Sequence, residues 1–339
     1  MISRFIGTQS IGLRLPFLRE GDGEKLINNI VSCYRKADPQ DGDIIGVTES
    51  IVARCFGFYV NYDEIGEWIK NFKPSADTLV LYNPIFSRNR FVPILQGFLR
   101  NDNIKKVVVV SLDEDEVGNL VNHQITGVNY KDLYQSIVEE SGREFEWNYN
   151  WNSSLLRNDT LGIDCRLHAD ISPLELRLSD ICNDKSSWGL LGMNYSNGER
   201  LKLFPDRKFC EGFVLSLQNA IRRDVGVDVE VMVYGDGAYK DPQSHIWEWA
   251  DPVVSPAWTK GLNGYPTELK LKASLDAGKS DEEIQNDIMV NRNEGGQALG
   301  TTPRRIVDLL GSLMDLTSGS GDKGTPVVIV RDYFKKYVE

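Results

Sequence analysis

The stretch Asp38-Pro-Gln-Asp-Gly-Asp-Ile-Ile-Gly-Val47 sets a turn-forming run directly before four residues, 44–47, that read as one buried strand. The run is too short for a helix, and the turn residues ahead of it punctuate its start. On its N-terminal side Leu26, Ile27, Ile30, Val31 and Tyr34 recur at helical spacing, and Asp22 stands where it can cap that helix. On its C-terminal side residues 78–82 and 107–111 repeat the short strand signal, with helical stretches at 91–100 and 130–140. Strands alternating with helices over residues 40–141 predict an α/β layer.

Beyond it, residues 143–200 are rich in Trp, Asn, Ser and Asp with weak periodicity, which predicts short strands and loops. A helix is predicted over 211–223, with Phe213, Val214, Leu217 and Ile221 on one face. Residues 227–234 read as a strand running into Gly235-Asp-Gly237. Helices follow at 281–290 and 303–316, the second with Pro303 in its first turn, where a missing N–H costs nothing. Residues 327–330 read as a last buried strand. The expected class is α+β, a mixed α/β arrangement, and the change of composition near residue 145 divides it into parts 1–145 and 146–339.

The chain has 339 residues with 41% hydrophobic and 26% charged positions, which is the composition of a globular protein and excludes disordered or collagen-like classes. Its 38 basic and 49 acidic side chains leave a formal charge of −11, which argues against nucleic acid or an anionic membrane as a partner. No apolar run approaches the roughly 20 residues of a membrane span. The opening Met1-Ile-Ser-Arg-Phe-Ile has no apolar signal core, and the five cysteines are odd in number without a CxxC. A reduced, cytoplasmic compartment is expected.

Four features bear on chemistry. Gly319-Ser-Gly-Asp-Lys-Gly324 matches GxGxxG in form, but it follows a helix and precedes a strand, the reverse of the dinucleotide fingerprint. That order disfavours a nicotinamide or flavin oxidoreductase. No GxxxxGK[ST] occurs. A glycine loop beside Ser318, Ser320 and Lys323 can still hold phosphate or carboxylate oxygens on its backbone N–H groups, a surface connection being the competing reading. Asp236, between glycines at the end of an apolar strand, is placed to present a hard oxygen ligand to Mg²⁺ or Mn²⁺, or else to bond its own turn. Ser87-Arg-Asn-Arg90 puts Arg88 and Arg90 on a loop before a helix, a local basic reversal suited to phosphate or carboxylate. Trp247, Glu248 and Trp249 with Asp241, His245 and Asp251 suit a ligand pocket as well as they suit a mixed loop. His123, His168 and His245 are isolated, so zinc is not indicated, and no GxSxG or catalytic-cysteine context appears.

Taken together, several blocks resemble the coenzyme F420-0:L-glutamate ligase (γ-glutamyl ligase) family. They are Gly12-Leu-Arg-Leu-Pro-Phe-Leu-Arg-Glu-Gly-Asp22, then Asp41-Gly-Asp-Ile-Ile-Gly-Val-Thr-Glu-Ser-Ile-Val-Ala-Arg54, in which Arg54 and the nearby Gly57 fall where the family has Lys and Gly. Gly192-Met-Asn-Tyr-Ser-Asn197 followed by Leu201-Lys-Leu-Phe-Pro205 is similar to the family's G-I-D-A-S-N and L-L-L-P segments. Val233-Tyr-Gly-Asp236 and the close from Ser318 to Arg331 follow in the family's order. Residues of about 60–160 are unmatched by the core pattern and look like an insertion of a longer bacterial branch.

The resemblance implies an F420-0 γ-glutamyl ligase-like fold with mixed sheets, a homodimer, and a nucleotide- and metal-dependent ligase. Such an enzyme phosphorylates a carboxylate with GTP or ATP and lets the amine of L-glutamate attack the acyl phosphate, with Mg²⁺ or Mn²⁺. It implies Asp236 and Arg54 as catalytic residues. Arg88, Arg90, Ser318, Gly319, Ser320, Gly321 and Lys323 would hold the nucleotide. Asn194, Asp236, Asp308 and Asp322 would stand around the metal. Asn194 falls where the family has an aspartate, and a neutral amide holds Mg²⁺ less strongly. The rival expectations are a folate-type γ-polyglutamate ligase and a catalytically altered nucleotide- or metabolite-binding homologue.

Overall fold

The computed structural model describes residues 7–150, 153–166, 174–236, 239–240, 247–248, 253–264, 271–284, 286, 305–318 and 324–333. From the N-terminus the elements are β1 (Gln9–Leu13), α1 (Gly23–Tyr34), β2 (Ile44–Thr48), α2 (Glu49–Phe56), β3 (Tyr59–Asn61), α3 (Tyr62–Phe72), β4 (Thr78–Tyr82), α4 (Phe91–Phe98) and β5 (Lys106–Val110). The short pair β6 (Asn122–His123) and β7 (Val128–Asn129) precedes α5 (Tyr130–Glu140), β8 (Glu144–Asn148), β9 (Thr160–Asp164), β10 (Leu176–Arg177), β11 (Met193–Tyr195) and β12 (Arg200–Leu203). Then come α6 (Arg207–Val225), β13 (Glu230–Asp236), β14 (Tyr239–Lys240), β15 (Trp247–Glu248), β16 (Val253–Trp258), α7 (Leu271–Asp276), α8 (Ile306–Ser318) and β17 (Val327–Arg331).

The chain divides into two compact units. The first holds residues 1–56, 207–236 and 253–339, and the second holds 57–206 and 237–252. The first is built on a sheet of order β1-β17-β2-β13-β16. Only β2 and β13 run parallel, while β1, β17 and β16 pair antiparallel to their neighbours. Because β2, β13 and β17 are buried on both faces, their sequences are nearly continuous Val and Ile rather than alternating. Alternate residues feed two cores. Ile45, Val47, Val231, Val233 and Ile329 pack under α1, α2 and α6. Ile44, Met232, Tyr234, Val328 and Val330 pack under α8.

Asp22 does stand at the N-cap of α1, but its side chain bonds no helix N–H. One oxygen accepts from Arg19 N at 2.7 Å and the other from Lys25 Nζ at 2.6 Å, so a turn and an ion pair compete successfully for the carboxylate. At the amino end of β2, Asp43 is almost wholly buried and takes Arg331 in a two-pronged pair, both at 2.9 Å. The Tyr34 hydroxyl donates to the same carboxylate at 2.8 Å. Burial and then this carboxylate raise the Tyr34 hydroxyl well above its ordinary pKa.

The second unit contains a sheet of order β10-β9-β4-β5-β8 in which every pairing is parallel. Helices α3, α4 and α5 cover one face through Ile65, Ile69, Ile94, Leu95, Phe98, Tyr134 and Val138. Val80, Tyr82, Val108 and Val110 form the other face and meet Leu155, Leu156 and Leu174 from the connections beside β9. A small antiparallel sheet, β11-β12-β3, belongs to the same unit. At its N-terminus α3 carries a reciprocal cap between Asn61 and Glu64.

The boundary expected near residue 145 falls inside β8. The composition changes there because the loop-rich half of one unit begins, whereas the true division is discontinuous and has no local signature. The strands predicted at 44–47, 78–82, 107–111 and 327–330 form within a residue of expectation, as does the helix at 130–140. The helix predicted over 211–223 is longer, Arg207–Val225. Of the helix expected over 281–290, residues 281–284 are helical and most of the rest lies outside the described residues, as does Pro303.

Candidate active site

In the first unit the register gathers several chain ends on one edge of the sheet. Thr48 faces Tyr234 at the carboxyl ends of the parallel pair β2 and β13. Val327, at the start of β17, lies between Val47 and Leu13, and Val253, at the start of β16, faces Asp236. Ligand sites of open α/β sheets form outside such carboxyl ends. Glu49 opens α2 there and is only 4% exposed. It lies against Gly235, where an added Cβ would overlap the Glu49 Cγ and stand 3.0 Å from its Cβ and 3.1 Å from its Cδ. The β13–β16 register shifts at the same place, between Val233 and Gly235. A bulge of this kind bends the strand just before its end.

The residues on either side of the glycine loop are anchored on the same unit. Thr48 N–H donates to Pro326 O at 2.9 Å, and the Thr325 hydroxyl donates to Ser318 O at 3.1 Å, so the residues flanking 319–323 are tied together. Ser10 and Thr317 share a hydroxyl bond of 2.6 Å under the same turn. Arg14 leaves β1 at this edge, its Nε 3.9 Å from the position a Cβ on Gly324 would take. Tyr234 is buried with its hydroxyl directed at Met314 O, and burial raises its pKa against the opposing bond from Ser318. Cys55 of α2 is buried with its thiol pushed up to about 11, which removes it as a nucleophile at neutral pH.

The expected site residues distribute as follows. Arg54 is exposed on α2 of the first unit. Asp236 ends β13, and its side chain lies outside the described residues. Ser318 ends α8, while Gly319, Ser320, Gly321, Asp322 and Lys323 lie outside the described residues. Asp308 is committed to Arg305 in a two-pronged pair of 2.7 and 2.8 Å. In the second unit, Arg88 and Arg90 occupy the loop after β4, and the Tyr195 N–H donates to Asn89 O at 2.8 Å. This brings the arginine loop to β11 and its Asn194, which stands directly across from Lys202 of β12. Of the acidic and tryptophan-rich stretch 241–251, only the backbone of Trp247 and Glu248 is described.

Two motif residues prove to be structural. Asp43 and Arg331 form the buried pair at the amino end of β2, on the edge opposite Glu49. Sequence reasoning passed over Glu49 and Arg14. The signal for Glu49 was an acid placed directly after a buried strand, the same pattern that drew attention to Asp236. Among the described residues no group of three or more His, Cys, Asp or Glu is placed to hold a metal ion. None of the described helices is long and apolar enough to cross a membrane.

A family model described as F420-0:Gamma-glutamyl ligase matches residues 12–332 of the chain. A stretch of 42 residues is 45% identical to the coenzyme F420:L-glutamate ligase of Halorubrum lacusprofundi, covering 12% of this chain and 17% of that protein. The family match takes in both units, including the parallel sheet that the core motifs leave unmatched, and this chain therefore belongs to the F420-0:γ-glutamyl ligase family.

Proposed function

We propose that the chain is an amide ligase that joins L-glutamate to a carboxylate acceptor at the expense of GTP or ATP, with Mg²⁺ or Mn²⁺. The observation that carries the reading is the family match over residues 12–332. It is supported by the placement of Glu49, the end of β13 and the residues flanking 319–323 on one edge of one sheet.

The reaction is a phosphoryl transfer followed by an acyl transfer. An acceptor carboxylate oxygen takes the terminal phosphoryl group and a nucleoside diphosphate leaves. The glutamate amine, having lost a proton from its ammonium form, then attacks the acyl carbon and expels phosphate. Neither step needs a covalent enzyme intermediate, so catalysis is positioning and neutralisation of charge. Buried, raised thiols such as Cys55 agree with that requirement. Arg14 beside the glycine segment and Arg54 on α2 are the cations of the first unit assigned to phosphate or carboxylate oxygens. The backbone N–H groups of the glycine segment are assigned to the same oxygens.

For the metal, Glu49 is a hard-oxygen donor of the class Mg²⁺ and Mn²⁺ take, next to the strand that ends in Asp236. A bound ion would neutralise phosphate oxygens. The described donors fall short of a complete site, and Asp308, held by Arg305, is not counted among them.

The test is phosphate release with Mg²⁺ or Mn²⁺, GTP or ATP, L-glutamate and a panel of carboxylate acceptors, including F420-0 and a folate, with product masses read in parallel. A mass gain of one glutamyl unit, lost in a folded Asp236→Ala variant, is expected. Phosphate release that ignores either the acceptor or the amino acid would count against a ligase. A second reading, a binding protein without turnover, is favoured by one observation: Asn194 is a neutral amide, paired in register with Lys202. That reading expects thermal stabilisation by nucleotide with no phosphate release.

A further inference from the structure

The second unit carries its own topological signature. Numbered by their order in the chain, the five parallel strands β4, β5, β8, β9 and β10 lie in the order 3-2-1-4-5. The chain leaves β4 toward β5 on one side and leaves β9 toward β10 on the other, so β4 and β9 flank a switch point. Their connections diverge there, and such a switch point is where open parallel sheets take ligands, outside the carboxyl ends of the strands. Tyr82 and Asp164 are the last paired residues on the two sides.

An arginine follows each of these two strands. After β4 the chain turns through Asn83, held at a left-handed φ of +49°, into Ser87-Arg88-Asn89-Arg90, with Arg88 and Asn89 exposed. After β9, Arg166 is fixed by a two-pronged pair with Asp164, which is 1% exposed; the closest bonds are 2.8 and 3.0 Å. The loop is braced from below. The Ser87 hydroxyl accepts from Arg90 N at 3.1 Å. Asp115 accepts from Phe86 N at 2.7 Å, from Asn119 N at 2.8 Å, from Val117 N at 3.0 Å and from Asn119 Nδ2 at 3.1 Å. Four donors spend the Asp115 charge locally. Among the described residues, Asp164 and Glu116 both act on Arg166.

We propose that this switch point binds an oxyanion-bearing small molecule, a phosphate or a carboxylate, between Arg88 of the β4 loop and Arg166 at the end of β9. The site lies wholly within the second unit and does not depend on the ligase reading of the first. Arg88 is the recognition residue, since it is exposed and its removal leaves no buried charge. Arg166 is oriented by Asp164, in the way a rigid planar fork is best used.

The experiment is equilibrium binding to the full-length protein by calorimetry, with inorganic phosphate, GTP and L-glutamate as separate probes. At least one probe is expected to bind, with affinity at least tenfold weaker in Arg88→Ala and weaker again in Arg88→Glu. Lys70→Ala, an exposed charge removed elsewhere in the same unit, should leave that affinity unchanged. Arg88-dependent binding of phosphate or GTP but not of glutamate identifies a phosphate ligand, and the reverse identifies a carboxylate. Arg166→Lys, which keeps the pair with Asp164, should weaken binding less than Arg88→Glu. Binding that survives both Arg88 variants, or no binding by any probe, overturns the proposal. Asp236→Ala separates the two readings: it should retain Arg88-dependent binding while losing turnover. Turnover persisting in Asp236→Ala counts against the ligase site alone.

Discussion

Gly235→Ala adds one methyl group where Glu49 already stands. The new Cβ would be 3.0 Å from the Glu49 Cβ and 3.1 Å from its Cδ, and closer still to its Cγ. Real side chains do not sustain such distances, and the Cγ is near the root of a buried residue, so it cannot simply swing into water. Either β13 shifts or the Glu49 carboxylate leaves its place. Overpacking of this kind costs about 1–3 kcal/mol. Glu49→Ala removes the obstruction, so the double variant Gly235→Ala/Glu49→Ala should be more stable than the sum of the single effects by at least about 1 kcal/mol, within the range seen for residues in contact. Two units make a single global unfolding transition an unsafe measure. The assay is therefore native-state hydrogen exchange of β2 and β13 amides followed by mass spectrometry, with phosphate release measured on the same samples. Turnover should fall in Gly235→Ala even where protection is only modestly reduced. Additive free energies, within about 0.5 kcal/mol, would refute the claim that Glu49 is held in place by Gly235.

Three further outcomes follow from the geometry. Arg331→Ala strands the buried Asp43 carboxylate and should cost about 3–5 kcal/mol, whereas Asp43→Asn/Arg331→Met should cost clearly less, as read by native-state hydrogen exchange of β2 and β17 amides; equal losses would deny that the pair is coupled. Burial pushes the Cys182 thiol up to about 12 and the Cys55 thiol up to about 11. The unfolded thiols ionise near about 8.5. Above that pH the unfolded chain loses protons that the native chain keeps, so these thiols make stability fall as pH rises and leave it flat below. Thermal midpoints from pH 7 to 10 test this, and a rise would contradict it. Native alkylation by iodoacetamide at pH 7.5 should mark the half-buried Cys33 before Cys55, Cys165, Cys182 or Cys210; early labelling of Cys165 would show that its part of the core opens.

Local chemistry was legible wherever one stretch of chain settles its own structure. The turn ahead of Ile44, the apolar runs of β4, β5 and β17, and the apolar stripe of α6 are each a matter of neighbours in sequence, and each forms as read. Asp22 shows the limit of such reading. The residue sits at the N-cap, yet Arg19 and Lys25 take its carboxylate, a choice among competing donors that propensity alone does not weigh.

The sequence by itself determined many of the elements, among them β2, β4, β5, α5 and β17, the apolar face of α6, and the family. Tertiary structure alone decided which ends meet. It set Glu49 against Gly235, 186 positions apart in the chain, because β2 and β13 pair in parallel register. It made Asp43 and Arg331 a buried structural pair at the other edge of that sheet. It gave the second unit a parallel sheet with a switch point, which puts Arg88 and Arg166 on the connections either side of it. Strand order depends on long-range pairing and on which face each connection covers. Those are properties of the closed sheet, and no local window of residues contains them.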